Sequence, residues 1–108
     1  TSIYFASGSS EISANSQKHL DVMLQMWLEN KNSKIIITSH TDELEDENPN
    51  LKTLGDERLE VVKLFFMENG INYTKVLTEN AKNTRKADNS GTDLAKAKNR
   101  RVTFQLIQ

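Results

Sequence analysis

The sequence of 108 residues has no cysteine, a single proline and four glycines, and only 6% of its residues are aromatic. Without cysteine it can form neither a disulfide framework nor a thiolate metal site or nucleophile. Its apolar stretches are far shorter than the roughly 20 residues that span a bilayer, and no charged-then-apolar signal segment opens it. The net charge of −1 lacks the basic excess typical of nucleic-acid binders. We therefore expect neither nucleic-acid binding nor membrane insertion.

What the chain does have is enough length for one compact domain over residues 1–108. A chain of this size buries roughly two thirds of the surface that its unfolded form exposes. Its hydrophobic share of 36% predicts a small core covered by many polar residues. Because Thr1 and Ser2 come directly before a strand-like segment, we expect the domain to be excised from a longer protein.

Apolar spacing and turn residues predict an order of β-α-β-α-β-(α)-β. The expected elements are strands at 3–5, 35–38, 76–79 and 102–107, long helices at 13–30 and from 51 or 54 to 69, and a short helix at 93–99. The acidic segment 43–50, which contains Pro49, and the polar segment 80–92 are predicted as surface loops. This order predicts an α/β (α+β) two-layer sandwich, with a mixed four-stranded sheet and both long helices on one face.

Charged residues of opposite sign follow the ends of separate predicted elements. Asp42 follows the second strand, Arg58 lies near the start of the second long helix, and Arg100 and Arg101 precede the last strand. Asp42 has two possible roles: it stabilises the loop or caps a helix, or it belongs to a ligand site. Arg58 suits either an ion pair with Asp56 or the acidic segment, or two-pronged binding of a ligand carboxylate. Arg100 and Arg101 would face opposite sides of a strand, so at most one aims at this region.

Catalytic and metal-binding patterns are missing. His40 and Asp42 would need further convergent ligands to hold a metal, and the other histidine, His19, falls in the first helix. The acidic run 43–47 lacks the glycine of a calcium loop. No serine has a nucleophile-elbow context, and no glycine-rich loop has phosphate-binding spacing. We therefore expect no enzyme activity, no cofactor and no metal.

Three groups of short sequence motifs, in this order and spacing, resemble a known family over nearly the whole chain. They are Ile3-Tyr4-Phe5 with Ser9-Ser10-Glu11-Ile12; His40-Thr41-Asp42 with Leu54-Gly55-Asp56-Glu57-Arg58; and Asn89-Ser90 with Ala97-Lys98-Asn99-Arg100-Arg101-Val102. Together they resemble the OmpA-like C-terminal domain, which also occurs in peptidoglycan-associated lipoproteins and flagellar stator proteins of the MotB type.

The resemblance implies non-covalent binding of peptidoglycan through the diaminopimelate of its stem peptide. It implies that Asp42 receives the ligand ammonium and Arg58 the carboxylate. The neighbouring ligand residues that it implies are Thr41, Asn50, and Arg100 or Arg101. It further implies a periplasmic location in an outer-membrane or envelope protein that is anchored to the wall, with other envelope proteins as further partners. An alanine substitution at Asp42 or Arg58 would then abolish retention on peptidoglycan and leave the thermal transition nearly unchanged.

Departures from the family pattern keep two other hypotheses open. Ala6 stands where the family usually has an acidic residue, and the segment between Asp42 and Arg58 is one residue longer, which puts Asn50 out of register. The second hypothesis is therefore a divergent domain that has lost peptidoglycan and contacts proteins through the segments 43–50 and 80–92. The third is an unrelated ferredoxin-like regulatory or RNA-binding module, which the few aromatics and the lack of basic excess oppose.

Overall fold

The computed structural model describes residues 2–84 and 86–108. Thr1 and Arg85, which belong to the domain predicted over 1–108, lie outside the described residues. Within the described part, the strands are β1 (Ser2–Tyr4), β2 (Lys34–His40), β3 (Val76–Lys82) and β4 (Arg101–Ile107). The α-helices are α1 (Ala14–Leu28), α2 (Glu43–Glu47), α3 (Leu54–Glu68) and α4 (Asp93–Asn99), and short 3-10 turns occupy Pro49–Leu51 and Tyr73–Lys75.

The four strands form one mixed sheet in the order β1-β4-β2-β3. β2 and β3 are parallel, whereas β4 runs antiparallel to both β1 and β2. β2 is therefore a central strand, which agrees with its run of β-branched residues Ile35, Ile36 and Ile37. The predicted fold class, a mixed four-stranded sheet with helices, is confirmed.

The two long helices supply the other half of one hydrophobic core. Ser13 caps α1 by accepting a hydrogen bond from the backbone N–H of Ser16, as its position in the sequence predicts. One side of each helix packs onto the sheet residues Ile35, Ile37, Val102 and Phe104. The buried helix residues of this cluster are Leu20, Met23, Trp27, Leu59, Val62 and Phe66. The long helices thus cover the same face of the sheet.

The structure differs from the sequence prediction in two segments. Residues 43–50, expected as a loop, contain α2 and the start of the 3-10 turn Pro49–Leu51. The third strand continues to Lys82 instead of ending near residue 79, so the loop expected from residue 80 is shorter. Both differences concern the surroundings of Asp42, because α2 begins directly after it and the backbone N–H of Thr41 donates to the carbonyl of Lys82.

Candidate functional site

Asp42 is the N-cap of α2. Its Oδ1 accepts a hydrogen bond of 2.7 Å from the backbone N–H of Glu45, and its own backbone N–H donates to Oε1 of Glu45 at 3.1 Å. This reciprocal pair is a capping box, which satisfies two backbone donors at the start of the helix. Asp42 is only 2% exposed. It therefore has the capping role that the sequence left open, at the end of a central strand.

Arg58 forms a two-pronged ion pair with Glu45. Its NH1 donates to Oε1 of Glu45 at 3.0 Å and its NH2 to Oε2 at 2.6 Å. Both side chains are buried, at 0% and 1% exposure. Because the low-dielectric interior strengthens such a pair and penalises either charge alone, each residue depends on the other. The acidic segment thus supplies the partner of Arg58, one of the two roles that the sequence left open.

The remaining guanidinium donors of Arg58 go to backbone carbonyls of neighbouring segments. Its Nε donates to Ser9 at 2.9 Å, and NH1 and NH2 also reach the carbonyls of His40 and Ala6, both at 3.3 Å. The guanidinium carbon lies 5.0 Å from the centre of the Phe5 ring. All five N–H groups of the guanidinium therefore have acceptors, and Arg58 fastens the β1–α1 loop, the end of β2 and α2 to α3.

Arg100 reaches Asp42. Its NH1 donates to Oδ2 of Asp42 at 3.1 Å, and its Nε donates to the carbonyl of Phe5 at 3.3 Å. Arg101 opens β4 opposite Tyr4 and His40. Since its neighbour Val102 is buried in the core, the alternation of a strand places Arg101 on the face away from the helices.

Two further predicted site residues lie at different depths. Thr41 is buried, and its hydroxyl donates to Oδ1 of Asp46. Asn50 is exposed in the 3-10 turn, where its backbone N–H donates to the side chain of Asn48. Among the described residues, no hydrogen bond or ion pair joins Asn50 to Asp42 or Arg58. The structure therefore gathers Thr41, Asp42, Arg58 and Arg100 together but leaves Asn50 apart.

A second ion pair, between Lys86 and Glu43, lies at the surface beside this network. The hydrogen bond from Lys86 is the main cause that holds the pKa of Glu43 below its usual range. Farther out, hydrogen bonds from Ser90 lower the pKa of Asp88. Asn99 connects this segment to α4 by accepting from the backbone N–H groups of Ala87 and Asp88.

The open spaces around the buried network differ in size, and one of about 200 Å³ is lined by Ala6 and Ser9 among others. The crevice between Glu43, Lys86 and Asn99 has a volume of about 10 Å³, which is about the room that one water needs. A larger depression of about 360 Å³ lies beyond α2, lined by Glu47, Pro49 and Lys52 among others.

Within residues 2–84 and 86–108 no group of three or more histidine, cysteine or acidic residues could hold a metal ion. None of the helices in this described part is long and apolar enough to cross a bilayer.

Glu45 is the residue of this network that the sequence interpretation missed. The acidic run and Pro49 predict a loop, so no single glutamate stands out in the sequence. A usable signal was present, because Asp42 and Glu45 have the spacing of a capping box at the start of a helix. That signal would have predicted α2 and the burial of Glu45 beside Asp42, although not its contact with Arg58.

The protein is a small α/β domain with a mixed sheet and two long helices. Opposite charges from the ends of separate elements meet in a buried network of Asp42, Glu45, Arg58 and Arg100. The sequence matches the model of the OmpA family over residues 4–100. The chain belongs to the OmpA family, as the resemblance in its sequence predicts. This membership excludes the unrelated ferredoxin-like module. A comparison with curated proteins found no match.

Several solved structures share the fold. The peptidoglycan-associated lipoprotein of Burkholderia pseudomallei aligns with a TM-score of 0.84 at 20% identity, over 98% of this chain and 89% of that one. The C-terminal domain of Helicobacter pylori MotB aligns at 0.83 and 16% identity, over 100% and 84%. The cell wall anchor of the T6SS from Pseudomonas aeruginosa aligns at 0.77 and 19% identity, over 95% and 76%. At these identities the likeness concerns the fold.

Proposed function

We propose that this domain binds peptidoglycan non-covalently through the diaminopimelate of the stem peptide and so anchors an envelope protein to the cell wall. The observation that carries the proposal is the convergence of Asp42, Arg58 and Arg100 from separate elements of an OmpA-family fold. Two structural neighbours are named as a peptidoglycan-associated lipoprotein and a cell wall anchor. The proposal places the domain in the periplasm and gives it a binding role without catalysis.

The chemistry of the network suits a zwitterionic amino-acid group. A guanidinium can hold a carboxylate by two parallel hydrogen bonds, and a carboxylate such as Asp42 can receive an ammonium group. A ligand that lacks either charge cannot replace the partners that Arg58 and Asp42 already have within the chain, which penalises wrong ligands. Thr41 and Arg100 are the proposed neighbours of the ligand. Asn50 and Arg101 keep the role that the resemblance implies only if the ligand reaches beyond this cluster.

The proposal is tested by titrating the ¹⁵N-labelled domain with meso-diaminopimelate and a stem peptide. The control is a stem peptide with lysine in place of diaminopimelate, whose side chain has the ammonium but no carboxylate. We expect saturable amide shifts around Asp42, Arg58 and Arg100 that the lysine peptide does not reproduce. Arg100→Gln should weaken retention on purified sacculi, whereas Arg101→Gln, the matched variant at the adjacent position, should retain it. Equal loss in the two variants would contradict the assignment of Arg100.

A second candidate function has one specific observation in its favour. Arg58 is already paired with Glu45 and Asp42 with Arg100, and both Asp42 and Arg58 are buried. This arrangement is expected if the family ligand had been lost and the charges kept for stability. The domain would then serve protein contacts through its surface segments. Absence of amide shifts at millimolar diaminopimelate, together with no retention on sacculi, would favour this second function.

A further inference from the structure

We infer that Glu45 occupies the position of the ligand carboxylate, so that a ligand enters the site only by displacing this side chain from Arg58. The inference rests on the proposed function and concerns how the same site is controlled. Glu45 would act as an internal competitor that sets the affinity of the domain. Its displacement would couple ligand binding to a movement of the short helix α2.

The carboxylate site around Glu45 is complete. Its Oε1 accepts from the backbone N–H of Asp42 at 3.1 Å, and its Oε2 accepts from the backbone N–H of Gly8 at 2.8 Å. The two guanidinium donors of Arg58 complete four hydrogen bonds to one carboxylate. Two backbone N–H groups and an arginine fork form a binding site for any carboxylate, whether it belongs to the chain or to a ligand.

All N–H donors of Arg58 are already used. Besides Glu45, they bond to the carbonyls of three neighbouring segments, those of Ser9, His40 and Ala6. A ligand carboxylate added beside Glu45 would therefore find no free guanidinium donor and would lie against a buried carboxylate of the same sign, which costs free energy. If the ligand carboxylate replaces Glu45, it takes over these donors and Glu45 returns to water. Exchange is therefore favoured over addition.

The element that carries Glu45 is small. α2 has five residues, and most of its surface is open, with Leu44 58% exposed. A helix of this length has little stability of its own and depends on its cap and its contacts. Moving Glu45 outward therefore disturbs one short helix, whereas Arg58 stays fixed by its bonds to the carbonyls of Ser9, His40 and Ala6.

The test compares wild type with Glu45→Ala and Glu45→Gln, with Glu47→Ala as the matched control because Glu47 is an exposed glutamate of the same helix. The first measurement is the dissociation constant of meso-diaminopimelate from amide shifts. If the displaced state makes up less than about a tenth of the wild-type population, removing Glu45 should tighten binding at least tenfold. Glu45→Gln, which keeps the size but not the charge, should give an intermediate gain.

The second measurement needs no peptidoglycan. Sodium acetate supplies a small carboxylate that fits the space left in Glu45→Ala. Acetate should raise the melting temperature of that variant more than sodium chloride at the same ionic strength, and it should not do so for wild type or Glu47→Ala. If Glu45→Ala fails to fold without acetate, refolding in acetate but not in chloride gives the same answer.

The outcomes separate this inference from the proposed function. One outcome is that acetate rescues Glu45→Ala but no variant binds diaminopimelate or sacculi. Glu45 would then be an internal carboxylate with a structural role only, and both the competitor role and the proposed function would be overturned. Wild type and both Glu45 variants binding diaminopimelate equally would overturn the inference and leave the proposed function standing. Absence of both acetate rescue and an affinity gain would overturn it as well.

Discussion

At the scale of single residues, the main result is that the two charges expected to face a ligand are buried and bonded within the chain. The sequence led to the expectation that alanine at Asp42 or Arg58 leaves the thermal transition nearly unchanged. Because Asp42 is 2% exposed and Arg58 is 0% exposed, we instead expect such variants to lose stability as well as retention. Loss of retention on sacculi by such variants would therefore not separate a binding defect from a folding defect. Because Arg100 pairs with the buried Asp42, the melting temperature of Arg100→Gln has to be measured beside its retention as well.

Arg58→Ala should lower the free energy of unfolding by about 3–5 kcal/mol, since it leaves Glu45 buried without a counter-charge. Urea unfolding followed by circular dichroism measures this change. Lys52→Ala, at an exposed position, is the control and should stay within about 0.5 kcal/mol of wild type.

The double variant Arg58→Met with Glu45→Gln removes both charges and should recover a large part of the lost stability. Recovery identifies the uncompensated carboxylate as the cause of the loss. If the double variant lost as much free energy of unfolding as Arg58→Met and Glu45→Gln lose separately, added together, the ion pair would not be the source of the effect.

At the scale of elements, the position of Arg58 depends on how closely α3 approaches β3. A Cβ atom built at Gly55 would lie 2.6 Å from the side-chain amide of Asn80. That amide is held in place, because its Oδ1 accepts from the hydroxyl of Ser39 and the backbone N–H of Lys82, and its Nδ2 donates to Asp56. Gly55 therefore lets the first turn of α3 rest on Asn80 and sets the depth at which Arg58 enters the network.

Gly55→Ala should lower the free energy of unfolding by about 1–3 kcal/mol through overpacking, although alanine is favoured over glycine in helices by up to about 1 kcal/mol. Urea unfolding of Gly55→Ala, Asn80→Ala and the double variant measures it. In the Asn80→Ala background the same substitution should become neutral or stabilising, because the amide is gone. A cost that persists unchanged without the Asn80 side chain would contradict this account.

The elements also show how far the sequence could predict the structure. The apolar spacing of Leu20, Met23 and Trp27 and the cap at Ser13 predicted α1, because local preference and burial agree there. Residues 43–47 were misassigned, because an acidic run beside a proline has the composition of a loop. What stabilises α2 is its capping box with Asp42 together with the contact of Glu45 with Arg58, thirteen residues farther along the chain. The capping box is visible in the local sequence, whereas the contact with Arg58 is set by the tertiary fold and is not.

At the scale of the whole molecule, the proposed function asks for retention on a polymer by a site that takes one small amino-acid group. The few atoms of such a group limit the affinity for the free compound to about micromolar or weaker. The internal carboxylate of Glu45 would weaken it further, since only the fraction of molecules with Glu45 displaced is competent. Retention on a wall should therefore depend on several tethered copies engaging at once.

Two copies joined by a flexible linker should accordingly be retained on sacculi at least tenfold better than a single copy, through effective concentration. The affinity of each copy for free meso-diaminopimelate should not change, because no contact is added. A tandem with Arg100→Gln in one copy is the matched control and should behave as a single copy. Pelleting with sacculi over a concentration series measures retention. Equal retention of the single and tandem proteins would mean that each domain is held independently, and that avidity contributes nothing to anchoring.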